Sequence, residues 1–121
     1  MQQFLQQFHS EMKWEITEGN YNEATSSLLT NYMLLTTEVS EVAEEFRAIF
    51  NDVYHKSNEG MDEELAFQLA KKQHAENIGK ELADCMAYIL KFANYFEIDL
   101  ETTFYKKMDE VKHRVNKDQR T

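Results

Sequence analysis

Between Leu28 and Ile49 the apolar residues Leu28, Tyr32, Leu35, Val39, Val42, Phe46 and Ile49 recur in alternating steps of four and three. A spacing of that kind is a seam along a helix that lies against other helices. Three further stripes accompany it. Phe4, Leu5, Phe8, Met12 and Ile16 share one face of a predicted helix from Gln2 to Glu18, closed by Gly19-Asn20. Ile78, Leu82, Cys85, Ile89, Phe92 and Phe96 repeat the heptad spacing, and Leu100, Phe104, Met108, Val111 and Val115 form the face of a last helix with Asp99 as its N-cap. The chain has no proline and only three glycines, Gly19, Gly60 and Gly79. A sheet-based fold of 121 residues needs more turn chemistry than that. The expected class is all-α, a single four-helix-bundle-like domain over residues 1–121.

Boundaries follow from the same signals. The second helix is expected from Glu23 to Asn51, and Asp52 to Gly60 reads as a polar connection. The third stretch runs from Met61 to Phe96, as one helix or as two, because Gln73 to Asn77 is polar and Gly79 is a weak helix former. Residues 52–76 thus form a long connection or insertion, and 116–121 a frayed tail.

Thirteen Lys and Arg stand against 22 Asp and Glu, a net charge of −9. That balance opposes binding to a nucleic-acid polymer or to an anionic membrane surface. With one cysteine there is no intrachain disulfide and no cysteine-rich zinc site. The first residues show no basic segment before an apolar run, and no stretch approaches a membrane span, so a cytoplasmic setting is expected.

The informative acids flank the seams. Glu38, Glu41 and Glu45 fall at i, i+3 and i+7, roughly 100° around the helix from the apolar stripe. Glu81, Asp84 and Tyr88 repeat the spacing on the third segment, whereas Glu44 falls on the outer face. Side by side, two such helices bring Glu38, Glu41, Glu81 and Asp84 together at an edge. Carboxylates so crowded need protons or cations, and an all-oxygen set selects Mg²⁺, with Mn²⁺ as a usable substitute. The competing reading is a non-catalytic helical interaction module whose acidic faces are merely solvated. A di-iron carboxylate bundle would need two Glu-x-x-His motifs, and only Glu110 to His113 fits. Lys107 and Arg114 share a face of the last helix, roughly 10 Å apart along its axis, a spacing suited to a polyphosphate. Trp14 lies off the first apolar stripe, where it packs on a second subunit or stacks on a base. Cys85, on the seam, is a small buried hydrophobe.

Glu38-Val-Ser-Glu41 and Glu81-Leu-Ala-Asp84 resemble the paired acidic motif of the all-α nucleoside triphosphate pyrophosphatase (MazG-like) superfamily. TEVSEVAEEF is similar to its first metal helix, KELADCMAYIL to its second, and IDLETTFYKKMDEVKHR to its closing segment. Phe8, Glu11 and Trp14, Tyr88, and Lys107-Met108-Asp109 are most similar to the dCTP pyrophosphatase branch. Val111 and Ala48 depart from it, standing where an Asn and an aromatic are common. The resemblance implies α–β cleavage of a nucleoside triphosphate, with pyrophosphate as a product. Glu38, Glu41, Glu81 and Asp84 would then be metal ligands, and Glu41 or Glu45 the base. Trp14, Tyr88, Lys107 and Arg114 would be substrate contacts. It further implies nucleotide-pool housecleaning by a homodimer or homotetramer.

Overall fold

The computed structural model describes residues 1–119, with side chains as far as Arg114. Its elements are α1 (Gln2–Met12), α2 (Tyr21–Asn58), α3 (Glu63–Tyr95) and α4 (Leu100–Gln119), with no strand among the described residues. The expected all-α class and the four helices are found. They divide into two compact units, one of residues 17–89 and one of residues 1–16 with 90–121.

The first of these units is an antiparallel hairpin of α2 and the greater part of α3. Asn20 starts α2, its side-chain oxygen accepting from the Glu23 amide at 2.9 Å. Losing that cap in Asn20→Ala is expected to cost about 1 kcal/mol, read as a lower urea midpoint at unchanged slope. The polar connection expected from Asp52 is instead helix as far as Asn58. Asp52 and Lys56 do not break α2, because they continue the half-buried line of its inner face. Two residues beyond the end of the helix the chain turns at Gly60, whose φ of 100° lies in the left-handed region. There Met61 N donates to Lys56 O at 3.0 Å and Gly60 N to Ser57 O at 3.1 Å, which satisfies two terminal carbonyls. Asp62 accepts from the Leu65 amide and opens α3. That helix runs unbroken through Gly79, which faces open space, so of the two readings a single helix holds.

The seam itself is rotated from the expected one. On α2 the sheltered positions are Leu28, Asn31, Leu35, Glu38, Val42, Glu45, Ile49 and Asp52. Steps of four and three survive, but every second position is polar. Tyr32, Val39 and Phe46, one residue further around, are 58%, 54% and 45% exposed. On α3 the sheltered line is Ala66, Ala70, His74, Ile78, Glu81, Cys85 and Tyr88, while Leu82 and Ile89 are exposed. Ala66 and Ala70 are fully buried, and such small residues let the helices approach closely near the turn.

The second unit holds α1, the end of α3 and α4. Helix α1 stops six residues before the expected Glu18, because Lys13 turns left-handed at φ 59° and Trp14 N bonds back to His9 O. Ile16 continues the α1 period without belonging to the helix; it is buried in irregular chain. Gln2 ties the unit together. Its amide donates to Asn94 Oδ1 and Ile98 O, and its oxygen accepts from Leu100 N, the first amide of α4. Asp99 is the N-cap, accepting from Thr102 N and Thr102 Oγ1. These bonds hold its carboxyl below the usual aspartate range. Phe104 and Met108, expected inside, are exposed, whereas Leu100 and Val111 are half-buried. Helix α4 extends to Gln119, into the segment expected to fray. The Val115 side chain and residues 120 and 121 lie outside the described residues.

Candidate metal centre

Antiparallel pairing sets the site. Glu38 of α2 meets Glu81 of α3, and one heptad along Glu45 meets His74, so one register serves both layers. Within the Glu38 layer the three-residue step brings Glu41 around to the same edge. One carboxylate oxygen each from Glu38, Glu41 and Glu81 lies within 4.8 Å of the others. Asp84 stands near enough for its charge to act on both Glu38 and Glu81. The fold thus assembles three of the four expected ligands into one group and sets the fourth beside them.

Crowding changes their acidity. The Glu81 carboxyl is pushed up to about 7, first by a hydrogen bond with Glu41, then by burial and the charges of Glu41, Glu38 and Asp84. Burial is the main cause of the rise at Glu38, followed by a hydrogen bond with Glu41. A carboxyl can donate only when protonated, so without a cation this cluster retains a proton near neutral pH. Glu38 Oε2 and Glu81 Oε2 are nonetheless buried with no hydrogen-bond partner. Two orphaned carboxyl oxygens a few ångströms from a third carboxyl group fit a hard divalent cation.

Tyr88 belongs to the same surroundings. Burial and then the charges of Glu38 and Asp84 push its phenol above the usual tyrosine range. Cys85 is buried, as expected, and its thiol is raised mainly by burial. Glu45 sits elsewhere: its Oε2 lies 3.4 Å from His74 Nδ1 rather than in the triple. Glu44 is solvated and paired with Arg47. His74, which bonds Asp52 as well as Glu45, was not singled out from the sequence. The signal was there, since His74 precedes Glu81 by the seven residues that separate Glu38 from Glu45.

The remaining candidates belong to the other unit. Trp14 is half exposed, with the Phe8 ring edge-on at 5.7 Å between centroids. Lys107 and Arg114 are exposed on α4, with Lys107 Nζ 3.6 Å from Glu110 Oε2. Glu110 and His113 are also exposed there, and His113 turns to Asp109 of its own helix; among the described residues no group of metal-ligating side chains gathers around them. Among the described residues no helix is long and apolar enough to cross a membrane.

In a comparison with known families, the MazG nucleotide pyrophosphohydrolase domain matches residues 26–117. No curated protein and no solved structure matches the chain. The matched span leaves out α1 and Trp14 but takes in both acidic pairs, Tyr88, Lys107 and Arg114. It covers well over half of the chain, and the protein therefore belongs to the MazG nucleotide pyrophosphohydrolase family.

Proposed function

We propose that this protein is a Mg²⁺-dependent nucleoside triphosphate pyrophosphohydrolase that cleaves the α–β phosphoanhydride of a (deoxy)nucleotide. The products are the nucleoside monophosphate and pyrophosphate. The observation that carries this reading is the pair of buried, unpartnered oxygens of Glu38 and Glu81 beside Glu41. Glu38, Glu41, Glu81 and Asp84 would hold Mg²⁺, or Mn²⁺ in its place. When bound, the cation supplies positive charge to the triphosphate and acidifies water. Glu41, whose carboxylate lies beside those of Glu38 and Glu81, is assigned as the base that would accept a proton from the attacking water. Glu45, one heptad along α2 and in contact with His74, is the alternative base.

Lys107 and Arg114 are assigned to charge on the leaving pyrophosphate, and Trp14 and Tyr88 to the nucleoside. For Trp14, Lys107 and Arg114 the assignment rests on the resemblance of their segments alone. Exposed Tyr32, Val39, Phe46, Leu82 and Ile89 support a homodimer or homotetramer, since an apolar stripe on a helix pair is suited to a second subunit. The proposed setting is the reducing cytoplasm, with which the free, buried Cys85 is in keeping, and the proposed role, clearing unwanted nucleotides, rests on the family resemblance.

The test is a screen of canonical and modified dNTPs and NTPs with Mg²⁺ and with Mn²⁺, reading pyrophosphate and monophosphate. Stoichiometric release from at least one triphosphate is the expected result. Silence across the whole panel with both metals would leave the acidic interaction module as the better reading.

A further inference from the structure

From the geometry of the hairpin we infer that His74 is a positioning residue, a clamp between α2 and α3 that holds the Glu81 half of the cluster in register with the Glu38 half. It uses both ring nitrogens on the facing helix: Nε2 lies 2.7 Å from Asp52 Oδ2, and Nδ1 3.4 Å from Glu45 Oε2. The two acceptors are seven residues apart on α2, so one imidazole spans two turns of its partner. The ring is sheltered, with 15% of its side chain exposed, and the contacts join residues 22 and 29 positions apart. Those are tertiary bonds, and they join α3 to α2 between the turn at Gly60 and the carboxylates.

Protonation decides how the clamp works. A neutral imidazole donates through one nitrogen only, whereas the imidazolium donates through both and can satisfy two carboxylates at once. The charged groups facing it from α2 are Glu45 and Asp52, both acidic; on its own helix Lys71, three residues away, lies over the Phe67 ring. The hydrogen bond to Asp52, opposed by burial and aided by Glu45, raises the imidazole above its usual range. The doubly bonded form therefore persists to higher pH than a free histidine would allow, and it is lost as pH rises through the folded-state value. Glu81 follows His74 by two helical turns on one rigid helix, so a clamp at His74 limits sliding and rolling at Glu81 and Asp84.

This inference rests on the metal-binding reading above, and its test separates the two. Mn²⁺ binding to the full chain, without nucleotide, is measured by electron paramagnetic resonance from pH 6 to 8.5 for wild type, His74→Gln and Glu38→Gln. Gln is close in length and hydrogen-bonds a carboxylate, but it carries no charge and cannot span both acceptors. At pH 6, His74→Gln is expected to weaken Mn²⁺ about five- to tenfold, at or below the low end of what loss of a direct supporting bond costs. The ratio to wild type closes toward one by pH 8.5. In wild type the His74 Hε1 proton resonance should titrate above 6.5, and Asp52→Asn should lower that midpoint. If Glu38→Gln weakens Mn²⁺ while His74→Gln matches wild type at every pH, the clamp is wrong and the metal reading stands. A loss in His74→Gln that does not vary with pH also overturns it, because packing alone would explain that result. Should Glu38→Gln bind Mn²⁺ as wild type does, the metal reading fails and takes the clamp with it.

Discussion

Glu41→Gln and Asp84→Asn are each expected to slow Mg²⁺-dependent pyrophosphate release by about 10³-fold, since a lost anionic ligand removes several kcal/mol of charge stabilisation. Both substitutions keep the shape of the side chain and remove its charge. Glu41 hydrogen-bonds Glu81 and its charge acts on both Glu38 and Glu81, so it sits at the middle of the group. Asp84 lies outside the triple and acts on it through its charge. Neither change should harm the fold, because each relieves repulsion between carboxylates. A combined loss of turnover and rise in the metal-free melting temperature is the signature of a ligand site. Were both variants to turn over nucleotide as fast as wild type, the acids would be surface residues and the assignment would be lost.

Stability should respond to pH in opposite senses with and without metal. Glu81 holds its proton more tightly in the folded chain, its carboxyl moving from an ordinary 4.5 to about 7. Between those values the folded state carries more protons than the unfolded one, so metal-free stability falls as pH rises. Glu38 is shifted in the same direction, and His74 adds to the fall as its bridge loses a proton. With metal, rising pH frees carboxylates for binding, and the trend reverses. Mg²⁺ or Mn²⁺ at a hundredfold excess over its dissociation constant should add about 2.7 kcal/mol, on the order of 10 °C in melting temperature near pH 7.5. Glu81→Gln should flatten the metal-free curve and abolish the gain. Scanning calorimetry with and without chelator reads both effects. A metal-free melting temperature that climbs from pH 4.5 to 7 would contradict the shared-proton cluster.

Much of this was legible in the residues. Steps of four and three mark the long helices, and the i, i+3 acidic pairs mark the ligand candidates. The rotation of the seam was not legible, and the reason is instructive. Glu38 and Val39, or Glu45 and Phe46, are neighbours about 100° apart around the helix, and hydropathy assigns the inner place to the apolar member. The fold does the reverse because Glu38 meets Glu81, and Glu45 and Asp52 meet His74, whereas the apolar stripe is left facing outward. Such pairing depends on residues 22, 29 and 43 positions apart, which a local period does not record. The same blindness made Asp52 look like the start of a loop. At Lys13 the error was of another kind: Ile16 keeps the helical period although the backbone has already turned.

Alternate polar layers also determine how this hairpin can change in length. Glu38 opposite Glu81 and Glu45 opposite His74 share one register, so residues added to a single arm would bring His74 or Phe67 against the acids of α2. Length can be gained or shed only in matched pieces, whole heptads on both arms at once. The Gly60 turn, roughly 30 Å of helix from the carboxylates, is then free to differ in sequence, while the separation between the two acidic pairs is held to a ruler with seven-residue divisions.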